Sequence, residues 1–498
     1  MGKTSRDLSP IFEPKCVAMI GASNNPSKYG WIIPANILAN GYKGKLYLIN
    51  PSEEKIWGLK VYPSLKDVSE QVDLVVISRP AESVPQHIEE CVENNVKSAI
   101  VISGGFKETG REGEKREQEV VRIARGGGML LVGPNSMGIY SASVSLSALM
   151  PPILPKAGEV SLISQSGNIG TNLLAFGSEQ GIGFSKFVSS GNEADISTLE
   201  YLEYFGQDPT SKVILMYVEG VREGRKFVDL VKRVKEKKPV IVYKAAVSKA
   251  GSSAAKSHCG ALAGSTRIFE AAIKQSGAIR ASTINGMLDL AVGFLYLPLP
   301  KGKRVGIVTW GGGYGVVASD SCELAGLEVP PLPPEAVQKI DQLLPSYWSR
   351  GNPVDLVGYI NREVQPKVIE EVAKLGNIDA IIASGFILGR SIGSSIFKLL
   401  HRDKEDAGET WSDRATKKVA EEVRNLIDSY HKPIVAVTLT TDPGTLKKVL
   451  ECGVPAYSTL ETAAEVLAKM YEYQMNLEKE EKTSRGNIHT SMLPENSK

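Results

Sequence analysis

The chain has 498 residues, too many for one ordinary core, and this length predicts about three domains of roughly 150 residues each. Its 58 Lys and Arg balance 56 Asp and Glu without a basic block, which argues against nucleic acid as a partner. Five widely spaced cysteines, no apolar run near the roughly 20 residues of a membrane span and no signal-peptide core predict a cytoplasmic protein without membrane segments. No cysteine spacing indicates zinc, and we predict no metal site in this chain.

Short β-branched runs alternate with helical stretches in the first part of the chain, and each run ends at Gly, Ser, Asn or Pro. This alternation predicts parallel strands joined by helices and buried on both faces, which is an α/β fold. The runs are Cys16–Ile20, Lys45–Ile49, Asp73–Ile77, Ser98–Ile102 and Met129–Val132.

The loop after the first run reads GASNNPSKYG and predicts a phosphate site, because Gly21 permits a tight turn before a helix N-terminus. It is not the G-x-G-x-x-G fingerprint, and the second run ends at Asn50-Pro51 without the acid that binds a dinucleotide ribose. A redox cofactor, and with it a nicotinamide dehydrogenase, is therefore disfavoured. The alternative interpretation is that Gly21 and Gly30 serve turn geometry alone.

Two proline-rich stretches interrupt the alternation and lead into new strands. They read MPPILPKAGE at 150–159 and LPLPKGKR at 297–304. We therefore predict domains at 1–149, 150–299 and 300–475, followed by a polar tail at 476–498.

The second and third domains contain two matched motifs in the same order. VSLISQSGNIG at 160–170 matches VGIVTWGGGYG at 305–315, and GNEADI at 191–196 matches GNPVDL at 351–356. A duplicated doubly wound domain explains both matches. Each glycine-rich loop opens a helix and is a candidate anion site, although close strand–helix packing is the alternative for a single loop. No Walker A motif occurs in the chain.

One histidine lies in unusual surroundings. His258 falls in AGSSAAKSHCGALAGS, a run of small residues that predicts an exposed reactive loop. Glu219 ends the predicted strand VILMYVE at 213–219, on the side of such a sheet where ligands bind, and is placed to orient an imidazole. The alternatives are a solvated histidine and an ordinary carboxylate at a loop start.

These motifs, together with GPNSMG at 133–138 and SHCGALAG at 257–264, resemble the alpha subunit of the ADP-forming acetyl-CoA synthetases, a family related to succinyl-CoA synthetase. The resemblance runs from about Leu8 to about Tyr473. It implies an N-terminal Rossmann-like CoA-binding domain followed by two flavodoxin-like doubly wound domains. The implied activity interconverts acyl-CoA, ADP and phosphate with a carboxylic acid, ATP and CoA.

The resemblance also implies roles for particular residues. His258 takes up phosphate from an acyl phosphate, and Glu219 stabilises the phosphohistidine. The residues implied for phosphate are Ser164, Gln165, Ser166, Gly167, Gly312 and Gly313, and those implied for CoA are Gly21, Ala22, Ser23, Lys28, Asn50, Pro51 and Asn135. ADP or ATP with Mg²⁺ would bind an ATP-grasp beta subunit in an alpha2beta2 assembly.

This chain departs from the family at one position, because Cys259 stands where Thr usually follows the histidine. The side chain is small enough to permit phosphorylation and makes the loop sensitive to oxidation. Only about 25 residues follow the third predicted domain, too few for an ATP-grasp module, so a separate beta subunit is implied. A CoA-binding regulatory or scaffold protein without turnover remains the alternative function, and the preferred acid is not readable from the sequence.

Overall fold

The computed structural model describes residues 6–259, 265–358, 363–385, 411–438 and 443–491. The chain divides into two compact units, of which the first comprises Met1–Ser178 with Ile182–Met287 and the second Glu179–Gly181 with Leu288–Lys498. Within the described ranges, no helix is both long and apolar enough to cross a membrane.

The first sheet confirms the predicted parallel strands of the Rossmann-like domain. Its order is β3-β4-β2-β1-β5-β6-β7, and apart from the short β3–β4 hairpin the neighbouring strands are parallel. Leaving β3 aside, this is the 3-2-1-4-5-6 order of dinucleotide-binding folds. The strands are β1 (Cys16–Ile20), β2 (Lys45–Ile49), β3 (Lys55–Ile56), β4 (Leu59–Tyr62), β5 (Leu74–Ile77), β6 (Ser98–Val101) and β7 (Leu130–Val132).

Helices cover both faces of this sheet, as expected for parallel strands whose side chains are buried on both sides. They are α1 (Ser9–Phe12), α2 (Tyr29–Ala39), α3 (Val84–Glu93) and α4 (Arg111–Gly126). Short 3-10 turns at Leu65–Asp67, Ala81–Ser83 and Lys107–Thr109 complete the connections.

The second sheet has the order β14-β13-β12-β10-β11-β8-β9. From β10 to β14 the strands are parallel in the flavodoxin-like order 2-1-3-4-5, which confirms the fold predicted for this domain. The strands are β8 (Gly138–Ser141), β9 (Leu146–Leu149), β10 (Ala157–Ser164), β11 (Phe184–Ser189), β12 (Val213–Val218), β13 (Val240–Lys244) and β14 (Ile279–Arg280). Its helices are α5 (Gly167–Glu179), α6 (Thr198–Gln207), α7 (Gly224–Lys235), α8 (Lys249–Cys259), α9 (Thr266–Ser276) and α10 (Ile284–Tyr296).

The hairpin β8–β9 falls inside the predicted first domain, 1–149, but pairs with the second sheet. β8 runs antiparallel to β11, with Ile139 opposite Val188. The chain leaves the first sheet after β7 at Gly133, which has φ of +89°. The chain therefore passes from the first sheet to the second near residue 135, upstream of the proline-rich stretch.

One apolar cluster explains why the first two predicted domains form one unit. It contains buried side chains of the first sheet, such as Val17, and of the second, such as Met216. Phe12 of α1 lies between them, with its ring centroid 5.2 Å from that of Phe205 in α6. Burial of such a ring contributes about 2 kcal/mol, and here it fastens the N-terminal segment to the second sheet.

The third sheet lies in the second unit and has the order β16-β15-β17-β18-β19. Its strands are all parallel, and their order is the flavodoxin-like order of the second sheet. The strands are β15 (Val305–Thr309), β16 (Val354–Asp355), β17 (Ala380–Ser384), β18 (Ile434–Val437) and β19 (Ala456–Tyr457). The helices are α11 (Gly312–Leu324), α12 (Pro334–Asp341), α13 (Val364–Ala373), α14 (Trp411–Tyr430), α15 (Pro443–Glu451) and α16 (Leu460–Ser491).

The last helix continues into the segment predicted as a polar tail. α16 extends to Ser491, so residues 476–491 are helical rather than irregular. This stretch is rich in Glu and Lys, which are good helix formers, and Gln474 Nε2 donates to Glu478 Oε1 at 3.0 Å one turn later.

Candidate functional site

The loop after β1 is shaped by two glycines that no other residue can replace. Gly21 has φ of +91°, and a Cβ there would lie 2.4 Å from the carbonyl oxygen of Ser78. A Cβ on Gly30 would lie 2.0 Å from the carbonyl oxygen of Gly21. Both glycines therefore serve the turn geometry, which was the alternative interpretation of the sequence. They also bring the loop close to the N-terminus of α2, and helix N-termini attract anions.

The polar residues predicted for CoA surround this loop, and several of them hold it in place. Asn50 Nδ2 donates to the carbonyl of Ala22 at 2.6 Å, which joins the end of β2 to the loop. The Ser23 hydroxyl accepts the N–H of Asn25 at 3.1 Å. Lys28 is exposed at the residue before α2, and Pro51 is exposed beside Asn50. Ala22, Ser23 and Asn50 thus shape the loop, while Lys28 offers a cation to solvent.

Asn135 lies after β7, at the carboxyl edge of the same sheet. It adopts φ of +58°, and its Nδ2 donates to Asn192 Oδ1 at 3.4 Å. Its Oδ1 is 3.4 Å from the position of a Cβ on Gly104, in the loop after β6. Asn135 therefore faces the junction with the second sheet.

Arg79 is a candidate that the sequence reasoning missed. It follows β5, the neighbour of β1, and its Cδ lies 2.9 Å from the position of a Cβ on Gly21. β1 and β5 flank the point where the strand order reverses, which is where open parallel sheets bind ligands. A cation two residues after the apolar run Leu74–Ile77 was the available signal.

The loop after β10 opens the long helix α5. Ser164 is fully buried, and its hydroxyl donates to the carbonyl of Ser166 at 2.6 Å, which forms the turn. A Cβ on Gly167 would lie 2.4 Å from Met137 Cγ, so the helix start is packed closely and requires glycine. The first N–H groups of α5 belong to this packed turn and form a candidate anion site.

Gln165 and Glu219, predicted separately, lie together. The side-chain oxygen of Gln165 accepts the N–H of Glu219 at 2.6 Å and that of Gly220 at 3.1 Å. Gln165 Nε2 donates to Glu193 Oε1 at 3.1 Å and to the carbonyl of Gly220 at 3.0 Å. The Gln165 amide is therefore engaged in joining the glycine-rich loop to the end of β12.

The motif GNEADI provides two buried carboxylates that the sequence reasoning did not single out. Glu193 accepts Gln165, as above, and Asp195 accepts Arg6 Nη1 at 2.9 Å and Arg125 Nε at 2.8 Å. The Asp195 side chain is 0% exposed, so both guanidinium groups approach it from the surface. The aspartate of the matched motif, G-N-x-x-D, was the signal for Asp195.

His258 lies in α8, where the sequence predicted a loop. The run forms a helix as far as Cys259, because its Ala and Lys residues favour helix and the Ser248 hydroxyl accepts the N–H of Gly251 at 3.0 Å. The side chain of His258 lies outside the described residues. The helix lies beside the 3-10 turn Lys107–Thr109, which follows β6 at the carboxyl edge of the first sheet.

The second glycine-rich loop belongs to the other unit. Thr309 Oγ1 donates to the carbonyl of Gly311 at 3.2 Å, and α11 begins at Gly312. The Asp355 Oδ2 atom is 3.2 Å from the position of a Cβ on Gly312. A cavity of about 410 Å³ opens here, and its polar lining includes Thr309, Ser319, Asp320, Ser349, Asn352 and Asp355. The start of α11, which includes Gly313, therefore has two acidic side chains beside it, Asp320 and Asp355.

No group of three or more His, Cys, Asp or Glu side chains within the described part of the chain is arranged to hold a metal ion. Burial raises the pKa of the Cys16 thiol to about 11 and that of the Cys322 thiol to about 12, so these thiols are protonated at neutral pH.

Comparison with known protein families identifies all three domains. A CoA binding domain matches residues 15–142, a succinyl-CoA ligase like flavodoxin domain matches 157–294, and a ligase-CoA domain matches 305–478.

Individual proteins are similar over most of the chain. The alpha subunit of acetate–CoA ligase [ADP-forming] II from Pyrococcus furiosus is 41% identical over 376 residues, covering 76% of this chain and 82% of the relative. 4-Hydroxybutyrate–CoA ligase [ADP-forming] from Nitrosopumilus maritimus is 35% identical over 471 residues, covering 93% of this chain but only 64% of that longer protein. The solved structure of a Candidatus Korarchaeum cryptofilum acetyl-coenzyme A synthetase in complex with phosphate and ADP superposes with a TM-score of 0.81 at 32% identity, covering 98% of this chain and 99% of that one.

Proposed function

This chain belongs to the ADP-forming acetate–CoA ligase family, as an alpha subunit, and from that premise we propose that it is the CoA-binding, phosphoryl-carrying subunit of an acyl-CoA ligase. The reaction converts acyl-CoA, ADP and phosphate into a carboxylic acid, ATP and CoA, and it is reversible. The observation that carries the proposal is the hydrogen bond from the Glu219 N–H to Gln165, which brings a residue bearing a carboxylate, at the carboxyl edge of the second sheet, next to a candidate anion-binding helix start.

The proposed reaction has three transfers. A phosphate oxygen attacks the acyl carbonyl, the carbon–sulfur bond breaks, and CoA leaves as the thiol with an acyl phosphate remaining. A nitrogen of the neutral His258 imidazole then attacks phosphorus, and the bond to the acyl oxygen breaks to release the carboxylate. Transfer of the phosphoryl group from His258 to ADP completes the cycle.

The helix starts and Glu219 have complementary roles in this proposal. The N–H groups at Ser166–Gly167 stabilise the negative phosphoryl oxygens, and the Glu219 carboxylate stabilises the imidazolium character that develops as the N–P bond forms. The N–H groups at Gly312–Gly313 are proposed to stabilise phosphoryl oxygens in the same way. Because Asp355 lies next to Gly312, we expect the contribution of this second start to be smaller.

The first domain fits a CoA diphosphate at the loop after β1. Gly21 lets the loop after β1 pack closely against the end of β5, the N-terminus of α2 attracts anions, and Lys28 and Arg79 supply cations. Ser23 and Asn50 hold the loop in this shape, and Asn50-Pro51 and Asn135 border it. The position of α8 beside the 3-10 turn of the first domain supports delivery of the phosphoryl group near bound CoA.

The nucleotide step needs a partner. The Pyrococcus furiosus relative is named as an alpha subunit, and we propose that an ATP-grasp beta subunit binds ADP or ATP with Mg²⁺, in an alpha2beta2 assembly in the cytoplasm. The relatives are named for different acids, acetate and 4-hydroxybutyrate, so family membership does not identify the preferred acid of this chain. A pocket changed by one methylene shifts preference by about 1–3 kcal/mol.

Turnover tests the proposal against a CoA-binding scaffold. The chain is mixed with an ATP-grasp beta subunit, ADP, phosphate and a panel of acyl-CoA thioesters, and free thiol and ATP are measured together. Equal release of CoA and ATP, absent when the chain is omitted, supports the ligase. Binding of CoA by the chain without release of thiol from any thioester contradicts it and favours the scaffold.

A further inference from the structure

The backbone of Glu219 is held by side chains on both of its polar groups. Its N–H donates to Gln165 Oε1 at 2.6 Å, and its carbonyl accepts Lys244 Nζ at 2.7 Å. Most backbone groups at the end of a strand bind other backbone groups or water, so two side chains on one residue is an unusual arrangement. It fixes the plane of both peptides that flank Glu219.

Lys244 is almost completely buried, with 2% of its surface exposed. It ends β13 opposite Val218, the last residue of β12. Besides Glu219, its ammonium group donates to the carbonyl of Ala245 at 2.5 Å and lies 5.8 Å from the ring centroid of Phe269. Burial lowers the pKa of Lys244, and the nearby charge of Glu219 opposes that shift.

A buried ammonium is costly unless its hydrogen bonds are made, so its position requires a reason. The other fully buried lysine of this sheet, Lys186, binds the carboxylate of Asp208 at 2.8 Å. The hydrogen bonds of Lys244 instead go to two carbonyls beside the proposed site. This placement indicates that the cation serves the geometry of Glu219 rather than an ion pair in the core.

Glu193 fixes the other side of the arrangement. It is buried, adopts φ of +52°, and its Oε1 accepts Ser190 Oγ at 2.9 Å, Gln165 Nε2 at 3.1 Å and the hydroxyl of Thr198. A carboxylate only accepts hydrogen bonds, so the Gln165 amide must turn its nitrogen toward Glu193. Its oxygen then faces the N–H of Glu219. Glu193 therefore reinforces, together with the Gly220 carbonyl, the amide orientation that holds Glu219.

We propose that Lys244 and Glu193 are positioning residues for Glu219, acting through the carbonyl and, by way of Gln165, the N–H of that residue. This inference rests on the proposed role of Glu219 in stabilising the phosphorylated imidazole. A displacement of a catalytic group by about 1 Å costs up to roughly 100-fold in rate. We therefore expect each change to reduce the phosphorylation rate without removing any group that contacts the substrate.

The test is a double-mutant cycle in the full chain with its beta partner. Lys244→Met, Lys244→Arg and Glu193→Gln are each made alone and together with Glu219→Gln, and the rate of phosphohistidine formation is measured per folded molecule. Lys186→Met is the matched control, because it removes a buried ammonium from the same sheet without touching Glu219. Thermal unfolding of every variant separates lost stability from lost rate.

Lys244→Met and Glu193→Gln are expected to slow phosphorylation about tenfold or more, and Lys244→Arg to retain a larger part of the rate. In the Glu219→Gln background both effects are expected to shrink to near zero, while any effect of Lys186→Met persists unchanged. Equal effects of Lys244→Met and Glu193→Gln with and without Glu219 would overturn the inference and leave the ligase proposal standing. If Lys244→Met does not fold, the Glu193→Gln cycle decides alone. Absence of phosphohistidine in the unaltered protein would overturn the ligase proposal, and the inference with it.

Discussion

The second and third sheets have the same strand order and the same glycine-rich loop, yet they use polar side chains differently. Both loops are closed by one equivalent hydrogen bond, from Ser164 to the carbonyl of Ser166 and from Thr309 to that of Gly311. The next position differs, because Gln165 holds Glu219 whereas Trp310 packs against Gly385, where a Cβ would lie 2.3 Å from that of Trp310. The backbone framework is shared, and the polar network that we propose to support catalysis occurs in the second sheet.

The second matched motif shows the same divergence. Asn192 donates to Glu108 and Glu117 of the first domain, whereas Asn352 binds the backbone of its own unit at Val305, Ile307 and Pro330. Asp195 accepts two arginines from the first domain, whereas Asp355 accepts the N–H of Val357 two residues later. The motif therefore joins the first and second sheets where it occurs in the second domain, and it closes a local turn where it occurs in the third domain.

The largest expected difference between the copies is at these two aspartates. Asp195→Ala removes a fully buried carboxylate that holds Arg6, Arg125 and the N–H of Leu131, and it should lower the free energy of unfolding by about 3 kcal/mol. Asp355→Ala loses one local hydrogen bond and should cost about 1 kcal/mol or less. Calorimetric unfolding of the two variants measures both. Equal losses would show that the motif is not used differently in the two sheets.

Activity is the next test of the comparison. Gln165→Leu removes the acceptor for two N–H groups at the end of β12, and it should slow phosphoryl transfer by about tenfold to 100-fold through displacement of Glu219. Trp310→Leu at the matched position should change the rate much less. Stopped-flow measurement of ATP formation with the beta partner compares the two variants. A larger loss of rate in Trp310→Leu would contradict the assignment of the catalytic hydrogen bonds to the second domain.

The third sheet has its own clamped carboxylate, and its effect should depend on pH. Burial acts to raise the pKa of Asp379, but hydrogen bonds from Arg304 outweigh it, so the pKa lies below its ordinary value. A lowered pKa means stabilisation that is present above the ordinary value, about 3.9, and lost as the pH falls through the folded value. Asp379→Asn should therefore cost about 1 kcal/mol at pH 7, and the difference from the unaltered chain should shrink below pH 4. Urea titrations at several pH values measure it, and a difference that grows in acid would refute the assignment.

The smallest expected effect on stability comes from the hydrogen bond that the two glycine-rich loops share. Ser164→Ala and Thr309→Val each remove one hydroxyl that closes a glycine-rich turn, so each should cost about 0.5–1 kcal/mol. Thermal unfolding of the two variants should give similar shifts. A shift several times larger in one copy would mean that the equivalent hydrogen bonds do not have equivalent roles.

Much of the fold was readable because parallel sheets leave a strong local pattern. Runs such as Cys16–Ile20 and Lys45–Ile49 are strands with the predicted bounds, and the matched motifs identified the repeated domain. Pairing of β8 with β11 was not readable, since short strands give no signal for partners about 50 residues away. The helix at 249–259 contradicts the predicted loop, because Ala and Lys favour helix even within a run of small residues.

The candidate site was readable where a motif marks it and unreadable where it depends on distant partners. Gln165 and Glu219 were both selected from the sequence, but their contact depends on two strand ends 54 residues apart. Asp195 meets Arg6 across 189 residues, and no local pattern records such a pairing. Lys244 reads as the polar end of a strand, and its role emerges from two carbonyl contacts in the folded sheet.

The central claim is that His258 of this chain carries the phosphoryl group. The direct measurement is incubation of the chain and its beta partner with γ-labelled ATP, followed by mapping of acid-labile, base-stable phosphate. We expect about one label per chain at His258, absent in His258→Ala and retained in His431→Ala, whose histidine is exposed after α14. Label that persists in His258→Ala, or no label with a partner shown to be active on another alpha subunit, would contradict the account.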